Sequence, residues 1–460
     1  MRAVLISTYE LGRQPFGLAS PAAWLRRAGW QVDCVDLAKE PLRADLVRDA
    51  SLVGFHLAMH TATRLAGPVI AKVRELSAAA DLCAYGLYAP LNAEWLRSLG
   101  VDHILGGEFE QDLLSIAQAI EAGEPIRPSH PQPAGVQRLH FLVPDRQGLP
   151  PLERYATLQM PDGSRRLVGS TEASRGCKHL CRHCPVVPVY EGQFRVLPLE
   201  VIAADIDAQV AAGARHITFG DPDFFNGPTH AMRVVEALHA SHPDLGYDVT
   251  IKVEHLLARR DLLPRLRETG CLFVTSAVES LDDTVLARLA KGHTRADFVR
   301  AAAECRTAGL TLVPTFVAFH PWLTLHDYCD LLDTIERLEL VDHVAPIQLA
   351  IRLLIPQGSK LMVLDEVRGI AQGFDPVTLT YRWRHPDARV DRLQQDIAAL
   401  VGTRVASDRR SVFDEISDLA HLRAGLARPP AGATTGAPIP YLSEPWYCCA
   451  EPNTEELTLV

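Results

Sequence analysis

Short apolar runs alternate with amphipathic stretches over the first 125 residues of the chain. The apolar runs predict strands, and the stretches between them predict helices. The predicted strands are Ala3–Ser7, Gln31–Val35, Leu52–Phe55 and Asp81–Tyr85, and the predicted helices are Pro21–Ala28, Gly67–Ala79 and Glu110–Glu121. This alternation predicts a doubly wound α/β domain with a parallel sheet over residues 1–125. Ligands of such sheets bind at the carboxyl ends of the strands.

A second alternating region follows a connector that is rich in proline. Seven prolines between positions 125 and 151 indicate irregular structure, and we place the connector at residues 126–165. Over residues 166–361, six apolar runs alternate with helical segments, which predicts a partial (β/α)6 barrel. The predicted strands are Leu167–Glu172, His216–Phe219, Asp248–Lys252, Phe273–Val278, Leu312–Ala318 and Val344–Leu349.

The remaining chain divides into a helical part and a tail. Two helical patterns, Asp387–Val401 and Ser411–Leu426, predict a helical C-terminal extension over residues 362–427. Residues 428–460 begin with a run of proline, glycine and alanine and end in a segment that contains Cys448 and Cys449. We expect residues 428–460 to be a flexible linker and tail.

The composition restricts the class of protein. Of 460 residues, 47% are hydrophobic and 22% are charged, which excludes wholesale disorder. The net charge of −10 argues against nucleic acid as the main partner, because binding a phosphate backbone needs a basic excess. No stretch reaches the ~20 apolar residues of a membrane helix, and the N-terminus lacks the pattern of a signal peptide. We therefore expect a cytoplasmic protein, whose ten cysteines favour metal binding or redox chemistry over disulfides.

The strongest chemical signal is a cysteine loop after the first predicted barrel strand. Cys177, Cys181 and Cys184 have the spacing CxxxCxxC. Three thiolates leave one coordination position of a metal centre open, and a substrate can bind there. The alternative is a closed zinc site that adds His179 or His183 as the fourth ligand.

This loop resembles the signature of the radical S-adenosylmethionine (SAM) superfamily. The resemblance implies that the three cysteines hold a [4Fe–4S] cluster and that SAM chelates the fourth iron. One electron from the reduced cluster then cleaves a carbon–sulfur bond of the sulfonium. A flavodoxin- or ferredoxin-type donor is the implied electron source, and a small molecule is the expected substrate. His183 stands where the superfamily often has an aromatic residue near the adenine.

Later segments resemble the SAM-contacting strand ends of the same superfamily. The resemblance implies that Asp221 and Asp223 accept from the SAM amino group, that Lys252 reaches ribose or substrate, and that Glu279 and Ser280 lie near SAM. Arg352 is expected to pair with a carboxylate of SAM or substrate. The alternatives are a solvated turn at Asp221 and Asp223, a helix N-cap at Ser280 and a surface ion pair at Arg352.

Residues 1–125 resemble the Rossmann-like cobalamin-binding domain that precedes one branch of the superfamily. The likeness lies in Val53–Leu57 and in the Leu-Gly-Gly-Glu-Phe-Glu run at residues 105–110. The DxHxxG motif that supplies the cobalt ligand is absent. Cobalamin bound without a protein ligand and a vestigial scaffold therefore both remain open. His56 and His60 are expected to be loop or packing residues.

The tail resembles that of the CUAEP/CCAEP-tail radical SAM proteins, some of which carry selenocysteine where Cys449 stands. The match implies a catalytic or soft-ligand role for Cys448 and Cys449, and two idle thiols are the alternative. We expect a radical SAM enzyme that modifies a small molecule, with transfer of a 3-amino-3-carboxypropyl group to arsenite as one hypothesis. A cobalamin-dependent methyltransferase and a non-catalytic iron–sulfur or metalloid sensor are the alternatives.

Overall fold

The computed structural model of the protein describes residues 1–126, 140–402, 404, 408–430 and 438–444. Cys448 and Cys449, and with them the predicted tail chemistry, lie outside the described residues. Within the described ranges no helix is both long enough and apolar enough to cross a membrane.

Five parallel strands form the first sheet, in the order β2-β1-β3-β4-β5. Its strands are β1 (Arg2–Ser7), β2 (Gln31–Asp36), β3 (Leu52–His56), β4 (Asp81–Tyr85) and β5 (His103–Ile104), and its helices are α1 (Phe16–Arg27), α2 (Ala44–Arg48), α3 (His60–Leu76), α4 (Ala93–Ser98) and α5 (Glu110–Ala122). Apolar side chains on both faces of the sheet are buried, as expected when helices cover both faces. The predicted doubly wound fold is confirmed. Helix α1 begins five residues before its predicted start. The prediction placed Pro21 at the first position of the helix, whereas Pro21 lies inside it.

The second sheet is the predicted partial barrel. Its strand order is β13-β12-β11-β10-β7-β6-β16, in which β16 is Tyr441–Leu442 from the C-terminal part. The five strands β7, β10, β11, β12 and β13 pair in parallel. The strands and helices in chain order are β6 (Thr157–Gln159), β7 (Arg165–Thr171), β8 (Ser174–Gly176), α6 (Val187–Tyr190), β9 (Phe194–Val196), α7 (Leu199–Ala211), β10 (His216–Phe219), α8 (Pro228–Ser241), β11 (Gly246–Thr250), α9 (Val253–Ala258), α10 (Leu263–Glu268), β12 (Cys271–Glu279), α11 (Asp283–Leu289), α12 (Arg295–Thr307), β13 (Thr311–Phe316) and α13 (Leu325–Arg337).

The strand predicted at Val344–Leu349 is wrong. This stretch follows a short 3-10 segment at Val341–His343 and contains another at Pro346–Leu349, where the proline offers no N–H to a sheet. The sixth position of the barrel is instead an isolated parallel bridge between Phe319 and Arg352.

The C-terminal part is helical with one hairpin that the sequence did not predict. Its elements are α14 (Asp365–Ile370), β14 (Ala371–Asp375), β15 (Thr380–Trp383), α15 (Ala388–Gly402), α16 (Arg409–Ala424) and β16 (Tyr441–Leu442). The expectation of a flexible chain from residue 428 onwards is wrong for residues 438–444. Strand β16 pairs antiparallel with β6 and places Ile439 against the apolar side chains of Leu158 and Val168.

Candidate active site

The cysteine loop lies between β8 and α6, at the carboxyl end of β7. Cys177 and Cys181 are buried and Cys184 is half-buried, and these three residues form no disulfide in the described structure. Gly176 precedes the loop with φ of +76°, where a side chain would be strained. A Cβ at this position would also lie 2.4 Å from the carbonyl oxygen of Gln193. Only glycine therefore lets the chain turn into the loop here.

Asn226 fixes the first cysteine of the loop. Its Oδ1 accepts from the backbone N–H of Lys178 at 3.2 Å and lies 3.8 Å from Sγ of Cys177. Its Nδ2 donates to the carbonyl oxygen of Gly176 at 3.3 Å. No local sequence pattern links Asn226 to a loop 49 residues earlier, so the sequence alone did not predict this contact.

Asp221 also holds the start of this loop, and its contact with the SAM amino group stays a prediction. One carboxylate oxygen accepts from the backbone N–H of Ala173 at 2.9 Å, and the other accepts from the hydroxyl of Ser174. Burial raises the pKa of Asp221 to about 7. Both oxygens are therefore occupied by the strand–loop junction that leads to Cys177.

Asp223 joins three elements at the same edge. Its Oδ2 lies 2.6 Å from Nδ1 of His255 and 3.3 Å from Nε2 of His179, which is in the cysteine loop. Burial alone would raise the pKa of this fully buried carboxylate, but its contacts with His179 and His255 outweigh burial and lower it to about 2. Cys177, His179 and Asp223 lie close enough to hold a metal ion together. This group contains one cysteine only, so it differs from the zinc alternative, in which all three cysteines bind the metal together with a histidine.

Lys252 and Glu254 extend this network along the mouth of the barrel. Nζ of Lys252 lies 3.5 Å from Oε2 of Glu254, and the same oxygen lies 3.7 Å from Nδ1 of His179. Lys252 is buried, while the side chain of Glu254 is 44% exposed. The Lys252 ammonium therefore faces the site with one distant and partly solvated partner.

Glu279 ends β12 in a strained conformation that turns its side chain toward the cysteine loop. Its φ is +70°, and the pairing of β12 with β13 shifts register between Ala277 and Glu279. Oε1 lies 3.1 Å from Nε2 of His183 and 3.3 Å from Nζ of Lys291. Burial would raise the pKa of Glu279, but Lys291 and His183 outweigh it and lower the pKa to about 2. Oε2 is buried and has no hydrogen-bond partner among the described residues.

Lys291 and His293 belong to the same group of interacting charged side chains as Glu279. Burial would lower the pKa of Lys291, yet Glu279 and the thiols of Cys181 and Cys184 raise it, so its ammonium lies in an anionic surrounding. Burial, followed by the charges of Lys291 and Lys252, lowers the pKa of His293 to about 4. Its imidazole is therefore neutral near pH 7.

The donor set fits an iron–sulfur cluster with one open iron. Three thiols lie on one loop, and the buried ammonium of Lys291 offsets the charge of the thiolates. One carboxylate oxygen of Glu279 has no hydrogen-bond partner among the described residues. Residues 171–335, which contain all of these groups, match the family model of the radical SAM superfamily. This segment is a radical SAM domain.

Parts of the chain resemble segments of curated proteins. The hopanoid C-2 methylase of Rhodopseudomonas palustris (strain TIE-1) is 24% identical over 139 residues, which are 29% of this chain and 26% of that protein. Across three curated relatives, the matched segments span between 26% and 58% of the relative's length.

Two solved structures share the fold. One is the radical SAM methyltransferase TsrM from Kitasatospora setae with tryptophan and a SAM analogue bound, with a TM-score of 0.62, 16% identity and coverage of 81% of this chain and 77% of TsrM. The other is the cobalamin-dependent radical SAM enzyme OxsB with aqua-cobalamin bound. It has a TM-score of 0.67, 14% identity and coverage of 92% of this chain and 71% of OxsB.

Ser280 and Arg352, which were predicted to lie near SAM or substrate, make contacts within the protein. The hydroxyl of Ser280 accepts from the backbone N–H of Asp282 at 3.1 Å, and Asp282, not Ser280, caps α11. Arg352 donates to Asp391 at 2.7 Å and lies on the ring of Trp383. The structure therefore favours the ion-pair alternative at Arg352, whose side chain is engaged by the C-terminal extension.

Proposed function

We propose that the protein is a radical SAM enzyme that binds a [4Fe–4S] cluster through Cys177, Cys181 and Cys184 and cleaves SAM reductively. The observation that carries this proposal is the buried carboxylate oxygen Oε2 of Glu279, which has no hydrogen-bond partner among the described residues. The other oxygen of this carboxylate contacts His183, the neighbour of Cys184 in the cysteine loop. A sensor that only holds a cluster has no need for such an acceptor. When bound, the cluster supplies the electron that breaks a carbon–sulfur bond of the sulfonium.

The residues around the loop have separate roles in SAM binding. Glu279 accepts from the amino group of SAM, and His183 and Lys291 keep its carboxylate charged. Lys252 and the neutral imidazole of His293 offer N–H donors to an anionic group of SAM or substrate. Asp221, Asp223 and Asn226 hold the cysteine loop and the neighbouring strand ends in place.

We further propose a small-molecule substrate and an electron donor of flavodoxin or ferredoxin type, in the cytoplasm. Support for a small substrate comes from the TsrM structure, whose bound substrate is tryptophan. The net charge of −10 gives no support for a nucleic-acid substrate, although two of the relatives are tRNA-modifying synthases.

The test is an anaerobic turnover with SAM alone. The reconstituted protein is reduced with dithionite, and the nucleoside products are separated by mass spectrometry. We expect cleavage of SAM by the wild-type protein and by Cys329→Ala, which removes a buried thiol of α13, and no cleavage by Cys184→Ala. Equal cleavage by Cys184→Ala and the wild-type protein would contradict the proposal.

The identity of the product separates two reactions. 5′-Deoxyadenosine indicates hydrogen abstraction from a carbon substrate, whereas 5′-methylthioadenosine indicates transfer of the 3-amino-3-carboxypropyl group. Transfer to arsenite rests on the vicinal pair Cys448 and Cys449, which lies outside the described residues, and on their affinity for soft atoms. If Cys448→Ser/Cys449→Ser leaves arsenite binding and product formation unchanged, the arsenite hypothesis fails while SAM cleavage stands.

A further inference from the structure

The carboxyl edge of the first sheet is the place at which a doubly wound fold binds a ligand. Its strand order reverses between β1 and β3, and ligands of doubly wound sheets bind outside the carboxyl ends at this reversal. OxsB and TsrM, which share the fold, were solved with cobalamin bound. The side chains at these carboxyl ends decide whether the same group fits here.

The carboxyl end of β3 is filled by a histidine. Nδ1 of His56 lies 3.1 Å from Oε2 of Glu10, in the loop that follows β1. The ring packs so closely on Gly17 that a Cβ there would lie 2.1 Å from it, and it also contacts the rings of Tyr85 and Phe109. The ring is therefore held in the sheet edge by Glu10 and by the start of α1, and it does not line an open crevice.

The carboxyl end of β5 is covered by the cysteine loop of the radical SAM domain. A Cβ at Gly107 would lie 2.4 Å from the hydroxyl oxygen of Tyr190, the last residue of α6. That hydroxyl donates to Oε1 of Glu108 at 3.4 Å, and Arg195 pairs with Oε2 of Glu108 at 3.4 Å. The loop after β5 and the elements that follow the cysteine loop, α6 and β9, therefore meet here by direct contact of side chains.

An ion pair closes the same edge beside the loop. Nη2 of Arg175 lies 2.7 Å from Oε1 of Glu110, and both side chains are buried. The Arg175 guanidinium lies over the rings of Phe16, Phe109 and Phe141 at 5.5 to 5.7 Å from their centroids. A planar macrocycle placed between the two sheets would have to displace this buried pair, which is expensive because each charge would lose its partner.

The chain's own C-terminal segment covers the loop after β1. The hydroxyl of Tyr9 donates to Oε1 of Glu444 at 3.1 Å, two residues beyond β16. The backbone of Ser443 pairs with Thr157 at 2.8 Å, and Ala156 donates to the carbonyl oxygen of Gly12 at 2.8 Å. Segment 438–444 is thus tied both to the barrel sheet and to the first sheet.

We infer that the carboxyl edge of the first sheet binds no corrinoid and is an internal docking surface for the radical SAM domain and segment 438–444. The residues that fill it are His56, Tyr190, Arg175 and Glu444. The first domain then acts by holding the cysteine loop. This inference does not depend on which bond of SAM is cleaved.

The corrinoid half of the inference is tested on the full-length reconstituted protein. The protein is incubated with hydroxocobalamin, desalted and scanned for corrinoid absorption, with OxsB treated in parallel as the positive control. We expect OxsB to retain the band and this protein to lose it. Retention of a stoichiometric band by this protein would overturn the inference. SAM cleavage measured on the same sample reports on the proposed function separately.

The docking half is tested by hydrogen exchange. Tyr9→Phe removes one hydroxyl and keeps the ring, whereas Tyr381→Phe removes a hydroxyl from the β15 hairpin, away from the edge. We expect the amides of residues 157–159 and 441–443 to exchange about 2- to 10-fold faster in Tyr9→Phe only, which is the range for loss of one hydrogen bond. Identical exchange in both variants would show that Glu444 is not docked.

Discussion

Nδ1 of His255 lies 2.6 Å from Oδ2 of Asp223, and this contact links the carboxyl ends of two adjacent barrel strands. The same oxygen lies 3.3 Å from Nε2 of His179, between the first two cysteines of the loop. The loop is therefore tethered from inside the barrel by one fully buried carboxylate. Asn226 and Asp221 hold its beginning from the same strand end.

Loss of the Asp223 carboxylate should loosen the cysteine loop. In Asp223→Asn the two histidines lose their charged partner, and we expect less iron per chain after reconstitution and an altered electron paramagnetic resonance spectrum of the reduced cluster. Asp207→Asn is the matched control, because Asp207 contacts His242 at 2.7 Å on the surface. A wild-type spectrum and iron content in Asp223→Asn would rule out the tether.

The pair of Glu279 and Lys291 should decide SAM binding. Lys291→Met leaves a buried carboxylate without its ammonium, and we expect a loss of about 3–5 kcal/mol in unfolding free energy together with loss of SAM binding by calorimetry. The double variant Glu279→Gln/Lys291→Met should recover stability but not SAM binding. The control is Lys72→Met, which removes an exposed pair with Glu75. SAM binding of wild-type strength in the double variant would show that Glu279 does not bind SAM.

Much of the barrel and the cluster motif could be predicted from the sequence, for a local reason. Cys177, Cys181 and Cys184 lie within eight residues, so their spacing alone brings the ligands together. Asn226 and His255 could not be assigned to the loop in this way. They reach it only because parallel strands bring their carboxyl ends to one edge, and a single sequence does not state which side chains then meet.

The errors have equally specific causes. The run at Val344–Leu349 is apolar enough for a strand, but Pro346 interrupts its hydrogen bonding and the chain forms 3-10 turns. Residues 438–444 follow a linker composition typical of flexible chain, yet Ser443 pairs with Thr157, 286 residues earlier. Pairing between such distant residues leaves no trace in local periodicity.

Arg175 should not tolerate replacement by lysine, although the charge is kept. Lysine loses the planar contact with three rings and the second hydrogen bond of the guanidinium. We expect Arg175→Lys to lower the unfolding free energy by about 1–3 kcal/mol in urea titrations and to reduce iron content. In the control, Arg265→Lys, the pairs with Glu236 and Glu268 are exposed to solvent, and we expect an unfolding free energy close to that of the wild-type protein. Equal stability of the two variants would mean that the buried pair does not hold the domains together.

The unfolding free energy of the protein should depend on pH through the protonation of Asp221. Burial raises its pKa from 3.8 to about 7, so between these values the folded protein binds a proton that the unfolded chain has released. The stabilisation from the neutral carboxyl is therefore complete below pH ~4 and is lost as the pH rises through about 7. In its neutral form the group accepts from the Ala173 N–H and donates to the Ser174 hydroxyl, and an asparagine side chain can make the same two bonds.

Asp221→Asn should therefore match the wild-type protein in acid and exceed it in alkali. We expect the unfolding free energy of the variant minus that of the wild-type protein to rise by up to about 4 kcal/mol between pH 4 and pH 8, since one pKa unit corresponds to about 1.4 kcal/mol. Urea titrations at each pH measure this difference, and taking a difference removes the contributions of other buried carboxyls such as Asp36. Asp162→Asn is the control, because Asp162 is exposed and hydrogen bonds from Ser164 lower its pKa. Its difference from the wild-type protein should show no rise over the same range. A flat difference for Asp221→Asn as well would mean that Asp221 stays ionised when buried, and the junction before Cys177 would then depend on a charged acceptor that asparagine cannot replace.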